Sequence, residues 1–181
     1  MVMYKQFIEL IRQSDLSRKI IVTGPQRSGT RIASQMIASD LYLDFIDERK
    51  FGATNFEMFL KVIKSHTTCV IQAPDMSAQL SLLRNKEIVV VYMIRDIQDI
   101  IKSEKRIGWD DNSLRIKYKK YFPGFYDDKK PISQIKYEVW NEKQKYELVN
   151  PFFEIQYESL KDHKMWVNKE NRKNFKWHQT A

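Results

Sequence analysis

The chain has few residues of the kinds that break or cross-link a polypeptide. Its 181 residues include one cysteine, five prolines and five glycines. The single cysteine, Cys69, cannot form a disulfide within the chain, which excludes a disulfide-rich secreted scaffold and suits a reducing compartment. No stretch is rich in proline or glycine, and no segment repeats at a fixed period, so nothing marks a linker. We therefore expect residues 1–181 to form a single domain.

Long apolar runs and an excess of negative charge are also absent. No window approaches the roughly 18 apolar residues that cross a membrane, and the N-terminus lacks the pattern of a secretory signal, so we expect a cytoplasmic protein with no transmembrane segment. The 31 Lys+Arg against 23 Asp+Glu give a formal net charge of +8. This charge favours an anionic partner without choosing between a nucleotide, a nucleic acid, an anionic glycan and a membrane surface.

Five apolar runs predict the strands of a buried sheet. They are KIIVT (19–23), LYLDFI (41–46), TCVIQA (68–73), EIVVVYMI (87–94) and FFEIQY (152–157). Helical patterns lie at 30–39, 55–65, 77–84 and 96–106, and the stretch 109–149 is helical, charged and aromatic. Because strand and helix alternate, we expect a three-layer α/β/α fold with a mostly parallel central sheet. Ligands of such sheets bind beyond the carboxyl ends of the strands.

The first strand runs into a turn bracketed by glycines, GPQRSGTR (24–31), which opens a helix. This arrangement directs backbone N–H groups and a helix N-terminus towards an anion, and it predicts a P-loop NTPase-like fold. Gly24 and Gly29 have the P-loop separation. Thr30, however, replaces the lysine that reaches the outer phosphates, and Arg31 replaces the hydroxyl residue that holds magnesium. The loop therefore predicts an anion site that lacks the usual residues for magnesium-ATP.

This loop resembles the 5′-phosphosulfate loop of sulfotransferases, the enzymes that use 3′-phosphoadenosine 5′-phosphosulfate as donor. In that family a basic residue two places before the glycine replaces the P-loop lysine. Here Arg27 has that position, and Ser28, Gly29, Thr30 and Arg31 complete the cradle. The resemblance implies that these five residues bind the donor.

Two later segments extend the resemblance, so that it spans residues 20 to 160. The stretch VVVYMIRDIQDIIKSEKR is similar to the family's 3′-phosphate motif, in which an arginine ends a strand and a serine follows eight residues later. Arg95 and Ser103 have that spacing. The segment EIQYESLKD is similar to one whose tyrosine packs beside the adenine, which implies that role for Tyr157.

The resemblance implies transfer of a sulfonate group to an acceptor hydroxyl or amine, without a metal. Charge develops on the bridging oxygen of the leaving group, so Arg27 is expected to stabilise that oxygen while a base takes the acceptor proton. Members that act on glycans often place a glutamate after the second strand. Glu48, in LDFIDERKFG, is therefore our predicted base, and Asp47, Asp75 and His66 stay open as alternatives.

Some features of the sequence have simpler interpretations. The stretch RIKYKKYFPGFY (115–126) suits an anionic acceptor or nucleic-acid bases, but an amphipathic helix that buries its aromatic side chains is favoured. His163 and His178 lack the spacing of a metal site. Arg172 lies where sulfotransferases often fold a basic segment over the 3′-phosphate, although the usual glycine-containing signature is absent.

Three functions follow from these patterns. We expect a sulfotransferase whose partners are the nucleotide donor and an acceptor that is a glycan or a small molecule. The first alternative is a P-loop nucleotide or small-molecule kinase with a degenerate loop. The second is a non-enzymatic nucleic-acid-binding module, which rests on the net charge and on the basic aromatic stretch alone.

Overall fold

The computed structural model describes residues 1–16, 18–52, 54–109 and 112–167. Arg172 and His178 lie outside these ranges. Five strands form one parallel sheet in the order β2-β3-β1-β4-β5. Their bounds are β1 Lys19–Thr23, β2 Asp44–Ile46, β3 Cys69–Gln72, β4 Val89–Ile94 and β5 Phe152–Gln156. The strand that precedes the glycine-bracketed turn is therefore the central one.

Helices cover both faces of this sheet. Their bounds are α1 Tyr4–Gln13, α2 Thr30–Leu41, α3 Phe56–Ser65, α4 Ile97–Arg106, α5 Asn112–Tyr121, α6 Ile132–Val139, α7 Lys145–Glu147 and α8 Lys164–Val167. The 3₁₀ segments are Glu48–Lys50, Pro74–Leu82 and Tyr157–Leu160, and a π-helical turn, Trp140–Gln144, joins α6 to α7. Among the residues described, no helix combines the length and the apolar character needed to cross a membrane.

Alternate residues of β1 face two separate cores. Ile20 and Val22 pack with α1 and α2 on one side of the sheet. Ile21 packs on the other side with α3 and the segment Pro74–Leu82. This arrangement confirms the predicted fold class: three layers, a parallel central sheet, and a P-loop-like connection after the central strand.

Several predicted bounds differ from the structure by one or two residues, and two predicted elements differ by more. The run LYLDFI predicts a strand from residue 41, but α2 continues to Leu41 and the strand begins at Asp44. Tyr42, with a φ of 56°, ends the helix in the left-handed conformation, so the extended segment starts later. The helix expected at 77–84 is the 3₁₀ segment Pro74–Leu82, because the proline opens the turn three residues earlier.

The basic aromatic stretch 115–126 contributes to a third core rather than to an open binding face. Tyr118 is fully buried and Phe122 nearly so, in a cluster with Leu114 and Ile135. Tyr121, by contrast, is about half exposed, at 48%. Tyr118 lies within α5 and Phe122 directly follows it, so the expected burial of aromatic side chains is confirmed for these two residues.

Candidate anion-binding site

A cleft of about 520 Å³ lies at the carboxyl ends of the strands. Among the residues that the structure describes, its lining includes three arginines, Arg27, Arg31 and Arg95, and one carboxylate, Glu48. Trp109, Tyr157 and Trp166 add aromatic surface. The volume falls within the range of small-molecule and cofactor sites, and the excess of positive charge favours an anionic ligand.

The shape of the first loop depends on backbone conformations that glycine adopts most easily. Gly24 has a φ of 135°, and a Cβ there would lie 3.0 Å from the carbonyl oxygen of Met93. Gly29 has a φ of 90° and immediately precedes α2. Arg27 also has a positive φ, 64°, which is uncommon for a residue with a side chain. The loop therefore curls tightly before the N-terminus of α2, whose first N–H groups have no partner within the helix.

Ser28 is the one predicted cradle residue whose side chain turns away from the cleft. It is fully buried, and its hydroxyl donates a hydrogen bond of 2.6 Å to the carbonyl oxygen of Pro25. The same carbonyl accepts the backbone N–H of Ser28 at 3.2 Å. Ser28 therefore stabilises the turn, and Gly29, Thr30 and Arg31 form the part of the cradle that lines the cleft.

The structure brings the first loop and the predicted 3′-phosphate motif into contact. The Nε atom of Arg27 donates to the hydroxyl of Ser103 at 3.0 Å. An Nη atom of Arg95 donates to the carbonyl oxygen of Arg27 at 2.7 Å. The Nε atom of Arg95 is buried and has no hydrogen-bond partner. The first loop and the segment that begins at Arg95, 68 positions later in sequence, are thus joined by one hydrogen bond in each direction.

Tyr157 and Tyr137 hold Arg95 from two sides. The guanidinium carbon of Arg95 lies 4.3 Å from the centre of the Tyr157 ring, a cation–π contact. The Tyr137 hydroxyl donates to the carbonyl oxygen of Arg95 at 2.8 Å and accepts its backbone N–H at 2.6 Å. Tyr157 also lies against the loop, because a Cβ on Gly29 would be 2.4 Å from its ring.

Glu48 lies in the cleft with one oxygen bonded and the other not. Its Oε1 accepts a hydrogen bond of 3.3 Å from the side-chain amide of Gln72, whereas its Oε2 is buried without a partner. Burial, followed by the negative charges of Asp75 and Asp47, raises the pKa of Glu48 to about 7. A carboxyl group with that pKa can accept a proton near neutral pH.

The three alternative bases are placed less favourably. Asp47 forms ion pairs with Arg31 at 3.1 Å and Arg49 at 2.9 Å. Burial alone would raise the pKa of Asp47, but the hydrogen bonds from Arg49 and the charge of Arg31 lower it below its usual value. Asp47 is therefore held as the ionised partner of two arginines.

Asp75 is buried behind the loop rather than exposed in the cleft. Only 3% of it is accessible, and its Oδ1 accepts hydrogen bonds from Gln26 and, at 3.2 Å, from Lys136. His66 follows α3 and precedes β3, so it lies near the amino ends of the strands, at the opposite edge of the sheet. Its ring nitrogen contacts the carbonyl oxygen of Val62 at 2.9 Å.

Sequence reasoning did not single out three residues that shape this site. Gln72 is the polar last residue of an otherwise apolar strand, and that position at the carboxyl edge could have marked it. Lys136 and Tyr137 lie in α6, where no motif distinguishes them. Among the residues that the structure describes, no group of three or more His, Cys, Asp or Glu side chains could hold a metal ion.

No family model and no curated protein matches the chain. Three solved structures resemble it weakly. The YorR protein from Bacillus subtilis, in complex with phosphorylated GDP, has 14% identity and a TM-score of 0.44 over 87% of this chain and 99% of its own. The shikimate kinase from Acinetobacter baumannii, in complex with shikimate, has 15% identity and a TM-score of 0.40, covering 78% and 99%. An uncharacterized protein from Eubacterium ventriosum has 13% identity and a TM-score of 0.41, covering 80% and 94%.

Proposed function

We propose that the chain is a sulfotransferase that moves a sulfonate group from 3′-phosphoadenosine 5′-phosphosulfate to an acceptor hydroxyl or amine. One observation carries this proposal: the two segments that resemble the donor-binding motifs meet in the same cleft. Arg27 of the first loop contacts Ser103 at 3.0 Å, and Arg95 contacts Arg27 at 2.7 Å. A donor with phosphate groups at both its 5′ and 3′ positions needs cations from both segments at once.

The first loop would bind the 5′-phosphosulfate. Backbone N–H groups at the start of α2 favour an anion, and Arg27 and Arg31 supply fixed positive charge in place of a lysine and a metal ion. Arg95 would bind the 3′-phosphate, because its buried Nε has no partner and a guanidinium forms charge-assisted hydrogen bonds to phosphate. Tyr157, whose ring contacts the Arg95 guanidinium, would pack beside the adenine.

Glu48 would act as the base. The acceptor oxygen or nitrogen attacks the sulfur atom, the bond from sulfur to the bridging oxygen breaks, and the acceptor proton passes to the unpartnered Oε2 of Glu48. The electron pair of the broken bond stays on the bridging oxygen, which leaves as part of adenosine 3′,5′-bisphosphate. Arg27 would stabilise the charge that develops on this oxygen.

Phosphoryl transfer by a P-loop kinase is the second candidate, and the position of Asp75 favours it. P-loop enzymes hold magnesium with a loop hydroxyl and an aspartate, and Asp75 contacts the loop through Gln26. However, Lys136 pairs with the Asp75 carboxylate at 3.2 Å, and both side chains are almost fully buried. An aspartate neutralised in this way is a weak magnesium ligand, so we place this candidate second.

Calorimetric titration separates the candidates. Sulfonate transfer predicts that adenosine 3′,5′-bisphosphate binds without magnesium and more tightly than adenosine 5′-phosphate. A kinase would instead bind ATP only with magnesium. Binding of oligonucleotides alone, with strong salt dependence, would support the nucleic-acid-binding alternative.

Two variants test the assignment of the 3′-phosphate. Arg95→Ala should weaken the binding of adenosine 3′,5′-bisphosphate by about 2–3 kcal/mol, because it removes a charge-assisted contact. The binding of adenosine 5′-phosphate should hardly change. Arg84→Ala is the matched control. Arg84 is exposed and precedes β4, so it lies near the amino ends of the strands, away from the cleft at their carboxyl ends. Equal losses for both nucleotides in Arg95→Ala would mean that Arg95 supports the fold and does not recognise the 3′-phosphate.

A further inference from the structure

Two hydrogen-bond acceptors of the cleft have no partner, and they belong to neighbouring side chains. The Oε1 atom of Gln72 and the Oε2 atom of Glu48 are both buried and unbonded. The other ends of the same two groups are joined, since the Gln72 amide nitrogen donates to Glu48 Oε1 at 3.3 Å. Both residues line the cleft, and only 5% of Gln72 is exposed.

A buried acceptor without a partner is unfavourable, so such an atom in a ligand cleft points to a donor on the ligand. The hydrogen bond between the two side chains fixes the roles of their remaining atoms. With its nitrogen engaged by Glu48, Gln72 presents its oxygen, and Glu48 presents its second carboxylate oxygen. The ligand must therefore bring two hydrogen-bond donors close together.

We infer that Gln72 and Glu48 together recognise two adjacent hydroxyl groups, so that the acceptor is a vicinal diol of a sugar or another polyol. A simple phenol carries one O–H group and would leave one of the two oxygens unbonded. An ammonium group could reach both, but the arginines that line the cleft repel a cation. Hydroxyl groups satisfy both acceptors without adding charge.

This arrangement assigns different tasks to the two residues. Glu48 accepts the proton of the reacting hydroxyl, as proposed above, and its pKa of about 7 suits that task. Gln72 binds the neighbouring hydroxyl and selects which oxygen faces the base. The role of the cleft as an acceptor site rests on the proposed sulfonate transfer, whereas the pairing of hydroxyls with Gln72 and Glu48 can be tested by binding alone.

Ligand-observed NMR titrations with small cyclohexane derivatives test the inference. The probes are cis-cyclohexane-1,2-diol, cyclohexanol and cyclohexylamine, each titrated with and without adenosine 3′,5′-bisphosphate. We expect the diol to bind the wild-type protein about tenfold more tightly than cyclohexanol, the value of one additional hydrogen bond, and cyclohexylamine to bind no better than cyclohexanol. Equal binding of diol and cyclohexanol, or tightest binding of the amine, would overturn the inference without reference to any variant.

Gln72→Met keeps the size of the side chain and removes its acceptor, so it should reduce the preference for the diol to less than twofold. Gln79→Met is the matched control: Gln79 also has a buried, unbonded Oε1 but is not among the residues that line this cleft. A diol preference that survives in Gln72→Met, or that is lost equally in Gln79→Met, would overturn the role of Gln72. If adenosine 3′,5′-bisphosphate does not bind, the proposed sulfonate transfer is wrong. The preference for the diol over cyclohexanol still tests whether Gln72 and Glu48 bind two hydroxyl groups.

Discussion

The ionisation of Glu48 should make the wild-type protein less stable as the pH rises towards neutrality. Burial is the largest cause that raises its pKa in the folded protein from the ordinary 4.5 to about 7. The native state therefore binds the proton more tightly than the unfolded state. Protonated Glu48 favours the native state below the unfolded-state pKa, and this contribution is lost as the pH rises from about 4.5 to about 7.

The size of the effect follows from the two pKa values. A difference of about 2.5 pKa units corresponds to about 3 kcal/mol at full strength. Glu48 lines an open cleft, where water screens its charge, so we reduce the expected value to about 1–2 kcal/mol. Glu48→Gln removes the ionisation and keeps an oxygen that can accept the hydrogen bond from Gln72.

Chemical denaturation between pH 4 and pH 8 measures this difference. The stability of Glu48→Gln relative to the wild type should increase by about 1–2 kcal/mol from pH 4 to pH 8, with most of the change between pH 5 and pH 7. Glu9→Gln, at an exposed position on α1, controls for the loss of one negative charge. A stability difference that does not change with pH, or a variant that becomes less stable than the wild type as the pH rises, would refute the raised pKa of Glu48. It would also remove the physical basis for Glu48 as a base near neutral pH.

Three further changes probe the site. Once an acceptor is known, the wild-type rate at saturating donor should rise about tenfold from pH 6 to pH 8 as Glu48 ionises, and a flat profile would exclude it as the base. Gly29→Ala should lower the free energy of unfolding by about 1–3 kcal/mol, because its φ is 90° and the new Cβ would lie 2.4 Å from Tyr157. Adding Tyr157→Ala should recover the part of this loss that comes from the steric clash. A double variant with no recovery would contradict the contact between Gly29 and Tyr157. Lys136→Met should destabilise the protein by about 3–5 kcal/mol in urea unfolding, because it leaves the buried Asp75 carboxylate without its ion-pair partner. Adding Asp75→Asn should restore much of the lost stability. A double variant as unstable as Lys136→Met alone would contradict the pairing.

Local patterns in the sequence predict most of the fold. The β-branched run of β1 and the glycine pair at 24 and 29 depend on short-range constraints: burial on both faces of a strand, and backbone angles that glycine adopts most easily. The boundary at Leu41 was harder to predict, because an apolar residue suits the last turn of a buried helix as well as the start of a strand.

The sequence also predicts some features of the candidate site and not others. Sequence spacing placed Arg27, Arg95 and Glu48 after the carboxyl ends of parallel strands, which must meet at one edge of the sheet. It did not predict which of their atoms would be bonded. Arg27 reaches Ser103, and Ser28 turns away from the cleft, because the loop has one particular backbone conformation within the packed protein.

The sequence by itself therefore determined most of the strand and helix pattern, the glycine-bracketed loop after the central strand and the set of charged residues at one edge of the sheet. Each of these depends on neighbouring residues or on a fixed periodicity. Only the tertiary structure decided which carboxylates are available. Asp75 is paired with Lys136, 61 positions away in sequence, while Glu48 retains an unbonded oxygen and a raised pKa. Burial and pairing arise from contacts between distant segments, and these contacts form only when the helices pack on the sheet.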